Sequence, residues 1–480
     1  MLGFVWSIAS PLGSSADENF HSVNIWCAWG DSDLCDINPV TGAVRAPQIL
    51  VESNCYVGFP SALSAGCSSQ LKPNLINADR FVTDQNLYSP IYFKAMRVFA
   101  GENFDLSTLL IRFSNTFVAA GLLFWALSVA PFSIRRGINL AWGLASIPVG
   151  IFFIASLNPS AWLIPAVGTY WAFLAVLLSQ PSHRETKARI AVWLGLISST
   201  VVAIGARTDA IIYLLISTLA VLIWRYRGLV KTVRPRNLLM IATTLAIISI
   251  IGITLFLNRF AGAQFSFPGA QTSTDQPVPL LKTLIEFPSF FMGLAGAQGP
   301  QSGLSTSASN RILDGNRFSG FYYGIGWMDF NLPSLVGVLI ALSIFAVFFI
   351  AIRHQTTPQK IAIITSILLV VLVVILLRAR VDFENISHIQ PRYLFPIFLA
   401  ILGISLSVGI NHFEFLLSRS QAFLVSVFVV IAGAIAWLAT ATRYAVGPDS
   451  AYTNFGQTPE WWWDIGPGRL GWFLITCLVT

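Results

Sequence analysis

Apolar runs of about 17 to 22 residues recur along the chain between short polar loops, and each is long enough to cross a hydrocarbon layer of about 30 Å as a helix. Within that layer the backbone must satisfy its own hydrogen bonds, so repeated runs of this length predict an all-α, polytopic transmembrane protein. Composition agrees, because 55% of the 480 residues are hydrophobic and only 11% are charged, which is not the balance of a soluble chain. Ten complete spans are expected: Leu109 to Ala130, Asn139 to Leu157, Ala161 to Leu178, Ile190 to Ala206, Ala210 to Trp224, Leu238 to Leu257, Pro333 to Ile352, Ile361 to Leu377, Phe395 to Ile410 and Gln421 to Ala441. Met1 to Leu12 and Leu470 to Thr480 are too short to cross and read as two partial terminal spans.

Loops rich in Lys and Arg stay in the cytoplasm, and this orients the chain. Loops at 135–136, 183–189, 225–236, 353–360 and 412–419 hold 13 basic and 2 acidic residues, which leaves 16 basic and 20 acidic for the other side. The five loops alternate consistently with ten spans. The net charge of +7 is therefore a statement about topology and gives no support to nucleic-acid binding. A plasma-membrane location follows, with the large loops facing outward. Cys27, Cys35, Cys55 and Cys67 fall in one outer loop, where an oxidising compartment favours two disulfides in one of three pairings. A zinc site is the rival reading, but the chain has no CxxC pair.

Two outer loops carry most of the non-membrane mass, at 13–106 and 258–332. The second contains "LLKTLIEFPSFFMGLAG", whose Lys282, Glu286 and Pro288 interrupt an otherwise apolar stretch. Counting it as a span would invert the charge rule for everything downstream, so it is expected to lie at the interface. "EWWWD" at 460–464 reads as an interfacial aromatic anchor, with a sugar platform as the alternative.

"SSADENFH", residues 14–21, follows the first partial span. Locally it fits a helix start, because Ser15 and Glu18 have the spacing of a capping box. Its position adds a second reading. A carboxylate at a helix N-terminus on the outer face is kept ionised by the dipole and can take a proton from a hydroxyl, which suits Asp17, with Glu18 beside it. Cations complement these acids. Arg207 and Asp209 stand in the short outer turn "ARTDA", Arg378 and Arg380 end a span at the outer surface, and Arg392 stands in "HIQPRYLFP" between His388 and the next inward span. An arginine at that depth needs an anion, and its planar fork suits a lipid phosphate. Pairing of Arg207 with Asp209 and of Arg380 with Asp382 is the plainer alternative.

In order, "ADENFH", "LYSPIYF" (87–93), "LNPS" (157–160), "ARTDA", "GIGWMDFNLP" (324–333) and "IQPRYLFP" resemble a family of bacterial membrane proteins known only as a domain of unknown function and grouped with the GT-C glycosyltransferases. The resemblance runs over residues 14 to 400. It implies a single GT-C-like membrane domain and an inverting transfer of a sugar from a polyprenyl-phosphate donor to a cell-envelope glycan, lipid or protein acceptor on the extracytoplasmic side. It makes the first outer loop catalytic, with Asp17 as the base and Glu18 as its neighbour. Tyr88, Pro90 and Tyr92 resemble the segment framing the active-site cavity, with His21 and Tyr393 also on the substrate side. Arg392, preceded here by Pro391 where the family tends to have glycine, matches an arginine that stabilises the departing phosphate, with Arg207 as a helper.

A divalent cation on Asp17, Glu18 and His21 is a rival use of those side chains. A helical Asp/His pair already accounts for the spacing of positions 17 and 21, so no metal or other cofactor is expected. Two other classes compete. A lipid-linked sugar transporter or flippase predicts charges at mid-span and broken helices in matched halves. A polysaccharide polymerase or ligase would use a late outer loop and would not need Asp17.

Overall fold

A computed structural model describes residues 1–57, 64–78, 88–179, 186–232, 325–326, 332–381, 391–408, 417–447, 463 and 468–479. The chain opens with a short helix, α1 (Leu2–Ile8), turns through Gly13 and Asp17, and continues as α2 (Glu18–Trp26). A small lobe follows, in which strands β1 (Asp36–Ile37), β2 (Val44–Pro47) and β3 (Leu75–Asn77) form an antiparallel sheet in that order, flanked by α3 (Gln48–Val51) and a 3-10 turn, Ala65–Gln70. The remaining elements are helices: α4 (Pro90–Met96), α5 (Phe104–Val129), α6 (Phe132–Ala145), α7 (Ile151–Ile154), α8 (Ser160–Leu177), α9 (Thr186–Ala206), α10 (Ala210–Thr232), α11 (Ser334–Ile352), α12 (Thr357–Val381), α13 (Pro391–Leu406), α14 (Arg419–Val446) and α15 (Gly468–Val479).

Helices coincide with every expected span except Leu238 to Leu257, which lies outside the described residues along with the expected interfacial helix of the second loop. Seven of those described are long and apolar enough to cross a membrane, while α10 and α13 offer shorter apolar stretches. The second crossing is interrupted: Ile147 leaves the helical conformation ahead of Pro148, whose ring cannot follow a helical residue comfortably, and the helix resumes as α7. The all-α expectation needs one correction, the three short strands of the lobe.

The first partial span begins as a short helix enclosed by protein. Helix α1 has 7 residues, about 10 Å of helix, and Val5, Trp6, Ser7 and Ile8 are buried. Its apolar character reflects burial in protein, because it packs against α5, α7 and α15. Trp437 of α14 donates its indole N–H to the Val5 carbonyl at 3.1 Å, tying the chain's beginning to its last long helix.

Helix α8 is buried on nearly all sides, surrounded by α5, α9, α10 and α13, as a helix apolar around its whole circumference should be. Helices α5, α9 and α12 instead expose large apolar side chains along one side, among them Phe117, Ile197 and Leu368, as lipid-facing helices do. Gly137 of α6 meets the Gly403 carbonyl of α13 and Ser407 just beyond it so closely that a methyl group there would collide with both.

Segments on the same side of the charge rule converge at one end of the bundle. At one end Arg136 donates to the Val408 carbonyl, and Gln355 and Gln359 donate to Ser405 and Ile404. At the other end the first loop packs onto the turns at 155–160 and 206–210 and onto the last turn of α14.

Disulfides Cys27–Cys35 and Cys55–Cys67 resolve the three pairings left open by spacing. In denaturant without reductant a maleimide should label one cysteine, Cys477, and after reduction all 5. Labelling of more than Cys477 before reduction contradicts this pairing.

Candidate functional site

The turn that carries "SSADE" is held from below by a buried ion pair. Arg112, in the third turn of α5, and Glu18, the first residue of α2, are both fully buried and meet at 3.0 Å. The Glu18 carboxylate also accepts the Ser15 N–H at 2.8 Å and the Leu157 N–H at 3.0 Å. Arg112 donates further to the carbonyls of Ser7 at 2.9 Å, Ser10 at 2.6 Å and Pro11 at 2.8 Å. One guanidinium thus serves the open carbonyls at the end of α1, and one carboxylate serves the open N–H groups of two turns.

Only half of the capping box forms. Glu18 takes the Ser15 N–H, but the buried Ser15 hydroxyl has no partner, and the helix begins at Glu18 with Asp17 as its N-cap. Asp17 has φ of 62° and ψ of 15°, the left-handed region that a non-glycine residue rarely adopts and that Asp tolerates better than most. Its side chain makes no cap bond to the helix and is half-buried, in contrast to the enclosed Glu18. The two adjacent acids therefore occupy different environments.

Beside this turn lies a cluster built from three distant segments. Arg207 meets Asp209 through two bonds, Nε to Oδ1 at 2.9 Å and Nη2 to Oδ2 at 2.7 Å, both side chains being almost fully buried. The Arg207 guanidinium lies 5.4 Å from the Tyr88 ring and 5.0 Å from the Tyr393 ring, and the Tyr88 backbone pairs with that of Arg207. Burial alone would lower the Arg207 pKa, but Asp209 together with Tyr88 and Tyr213 holds the guanidinium well above its ordinary value. His21, one turn after Asp17, sets its ring edge-on to Tyr88 at 4.9 Å and stacks on Phe93 at 5.9 Å. Pro90 is exposed at the first position of α4, where its missing N–H costs nothing.

Tyr92 is fully buried on the other side of α4, its hydroxyl accepting from Asn115 at 3.2 Å, while the same Asn115 nitrogen reaches the Ser156 carbonyl at 2.8 Å. Burial pushes the Tyr92 phenol well up, although the Asn115 bond works against it, so it stays protonated and holds the wall in place.

The structure thus brings together Asp17, Glu18, His21, Tyr88, Pro90, Tyr92, Arg207, Asp209 and Tyr393. Arg207 takes the partner the plainer reading expected. Arg378 and Arg380 lie on the last turns of α12 and Arg392 on the first turn of α13, but their side chains and all of His388 are outside the described residues. Of "EWWWD" the described residue is Trp463. It is buried, donates to the Ile8 carbonyl at 3.0 Å and lies 5.9 Å from the Arg112 guanidinium, because the carbonyls ending α1 need a donor there.

Sequence reasoning passed over Arg112, Asn115 and Asn158, whose amide N–H₂ reaches the Ala16 carbonyl at 3.1 Å. Arg112 was detectable, since it lies just inside the expected span Leu109 to Ala130 and an arginine within a span demands a partner.

No curated protein and no solved structure matches the chain. A family model does, over residues 1–401, and its reach from α1 into α13 takes in every described residue of this cluster. The chain therefore belongs to the family described as predicted membrane protein (DUF2142).

Proposed function

We propose that the protein is an inverting membrane glycosyltransferase of the GT-C type, taking a sugar from a polyprenyl-phosphate donor and passing it to a cell-envelope acceptor on the extracytoplasmic side. The observation that carries this reading is the difference between two neighbouring acids. Glu18 is enclosed and committed to Arg112, Ser15 and Leu157, while Asp17 is half-buried in a left-handed turn, with no side-chain cap bond to α2, beside the His21 and Tyr88 rings of the cluster.

In the proposed reaction an acceptor hydroxyl oxygen attacks the anomeric carbon and Asp17 takes its proton. The bond from that carbon to the phosphate oxygen breaks with its electrons staying on the lipid phosphate. Glu18 positions the turn. Because Asp209 already neutralises Arg207, the charge gathering on the phosphate falls mainly to Arg392. Tyr88 and Tyr393 set their rings against the Arg207 guanidinium and so flank the pair. No nucleotide-binding loop is required, since the leaving group is a phosphate that the bilayer itself presents.

The test is donor consumption. Purified protein in liposomes is expected to release polyprenyl phosphate from a radiolabelled polyprenyl-phosphate sugar when an envelope extract supplies acceptors. If none of a panel of hexose- and pentose-bearing donors is consumed by folded protein, the transferase reading fails.

A further inference from the structure

We propose that the segment Pro90–Phe99 lies in the headgroup layer of the outer leaflet and binds the bilayer along its exposed side. It comprises α4 and a following 3-10 turn, Arg97–Phe99, and its two sides differ in chemistry. Tyr92, Phe93 and Met96 are buried against the protein, whereas Ile91 is 50% and Val98 66% exposed, with Lys94 exposed between them. Trp29, 62% exposed, extends this apolar side from the neighbouring lobe and lies over the Arg97 guanidinium at 5.3 Å. Apolar side chains on one side, with an exposed Lys94 among them and a tryptophan at the edge, are what an interfacial helix presents to lipid, while Arg97 is held by the Ala100 carbonyl beneath Trp29.

Continuity identifies the bilayer as the occupant. At one end Ile91 lies against Gly205, directly beyond the exposed stripe of α9 that runs through Ile197, Val201 and Ile204. At the other end the chain is tied to the start of α5. Trp26 donates to the Gly101 carbonyl at 3.1 Å, and the Gly101 N–H reaches the Ser107 hydroxyl at 2.9 Å. Leu106, Leu110 and Phe117 begin the exposed stripe of α5 at that point. The segment therefore bridges the ends of two lipid-facing stripes, and its own apolar side closes the gap between them. An unpartnered patch needing a protein would not have to meet lipid-facing surface at both ends.

The inference stands on the membrane placement of α5 and α9 and not on the transferase reading. Its test uses nitroxide labels in the full chain carrying Cys477→Ser, which leaves no free thiol, reconstituted into dioleoyl-phosphatidylcholine vesicles. A label at Val98→Cys is expected to have a ratio of oxygen to nickel-chelate collision several-fold above that of a label at Val40→Cys, which is 91% exposed on the lobe. A ratio at 98 equal to that at 40 overturns the proposal, as does dipolar broadening between labels on different copies, which would make the patch a dimer contact. Ile91→Cys gives the same reading from the opposite end should Val98→Cys fold poorly. None of these readouts involves donor turnover, so an inactive protein with a lipid-exposed label refutes the transferase reading alone.

Discussion

Arg112→Ala is expected to lower stability by about 3–5 kcal/mol, the cost of breaking a buried ion pair from one side. The substitution leaves the Glu18 carboxylate fully enclosed with its charge opposed only by the neutral donors of Ser14, Ser15 and Leu157, and strips the carbonyls of Ser7, Ser10 and Pro11 of their shared donor. Arg112→Lys should recover only part of the loss, since a single ammonium cannot replace a fork that reaches three carbonyls and a carboxylate together. Removing both charges, as Arg112→Met with Glu18→Gln, should destabilise less than Arg112→Ala alone, because no uncompensated ion remains. Thermal melting of the detergent-solubilised protein checks this. A melt unchanged by Arg112→Ala would mean that the pair does not anchor the turn.

Asp17→Asn should give the opposite pattern, a fall in sugar transfer of about 10²–10⁴-fold with the melt lowered far less than by Arg112→Ala, that range being what a positioned base contributes. Asn tolerates the left-handed conformation at least as well as Asp, and no cap bond is lost. Glu18→Gln should affect stability first, since its carboxylate serves Arg112, Ser15 and Leu157. The pair of variants separates a group that reacts from one that positions. Full transfer by Asp17→Asn would remove the proposed base.

Much of the architecture could be read without coordinates, and the places where it could not share one cause. The span expected at Leu109 to Ala130 is a helix from Phe104 to Val129; the earlier start comes from Asn103, whose side chain accepts the Leu106 N–H at 3.0 Å, in a polar first turn that hydropathy does not register. An apolar stretch records that water is absent without recording whether lipid or protein replaces it, so the enclosure of α1 by α5, α7 and α15 has no local signature. The same holds for Trp463, since an indole at a membrane edge and an indole capping a buried carbonyl have the same local sequence.

Of the candidate site, the acids at 17 and 18, the "ARTDA" turn and the tyrosines at 88, 92 and 393 were legible as residue types with matching chemistry. Which of the two acids is enclosed was not. That depends on Arg112, which is 94 residues away, and on the Leu157 N–H, which is 139 away.

The sequence by itself determined where the long helices lie, because about 20 apolar residues in a row can satisfy their backbone in a bilayer only as a helix. It determined that four cysteines share one loop, but not how they pair. Tertiary structure alone decided that α1 is buried, that Arg207 is matched by Asp209 between two tyrosines, and that Glu18 is the acid enclosed beside Arg112. The physical reason is that burial of a charge is tolerable only beside its partner, and partners that meet through a folded bundle leave no local trace in the chain.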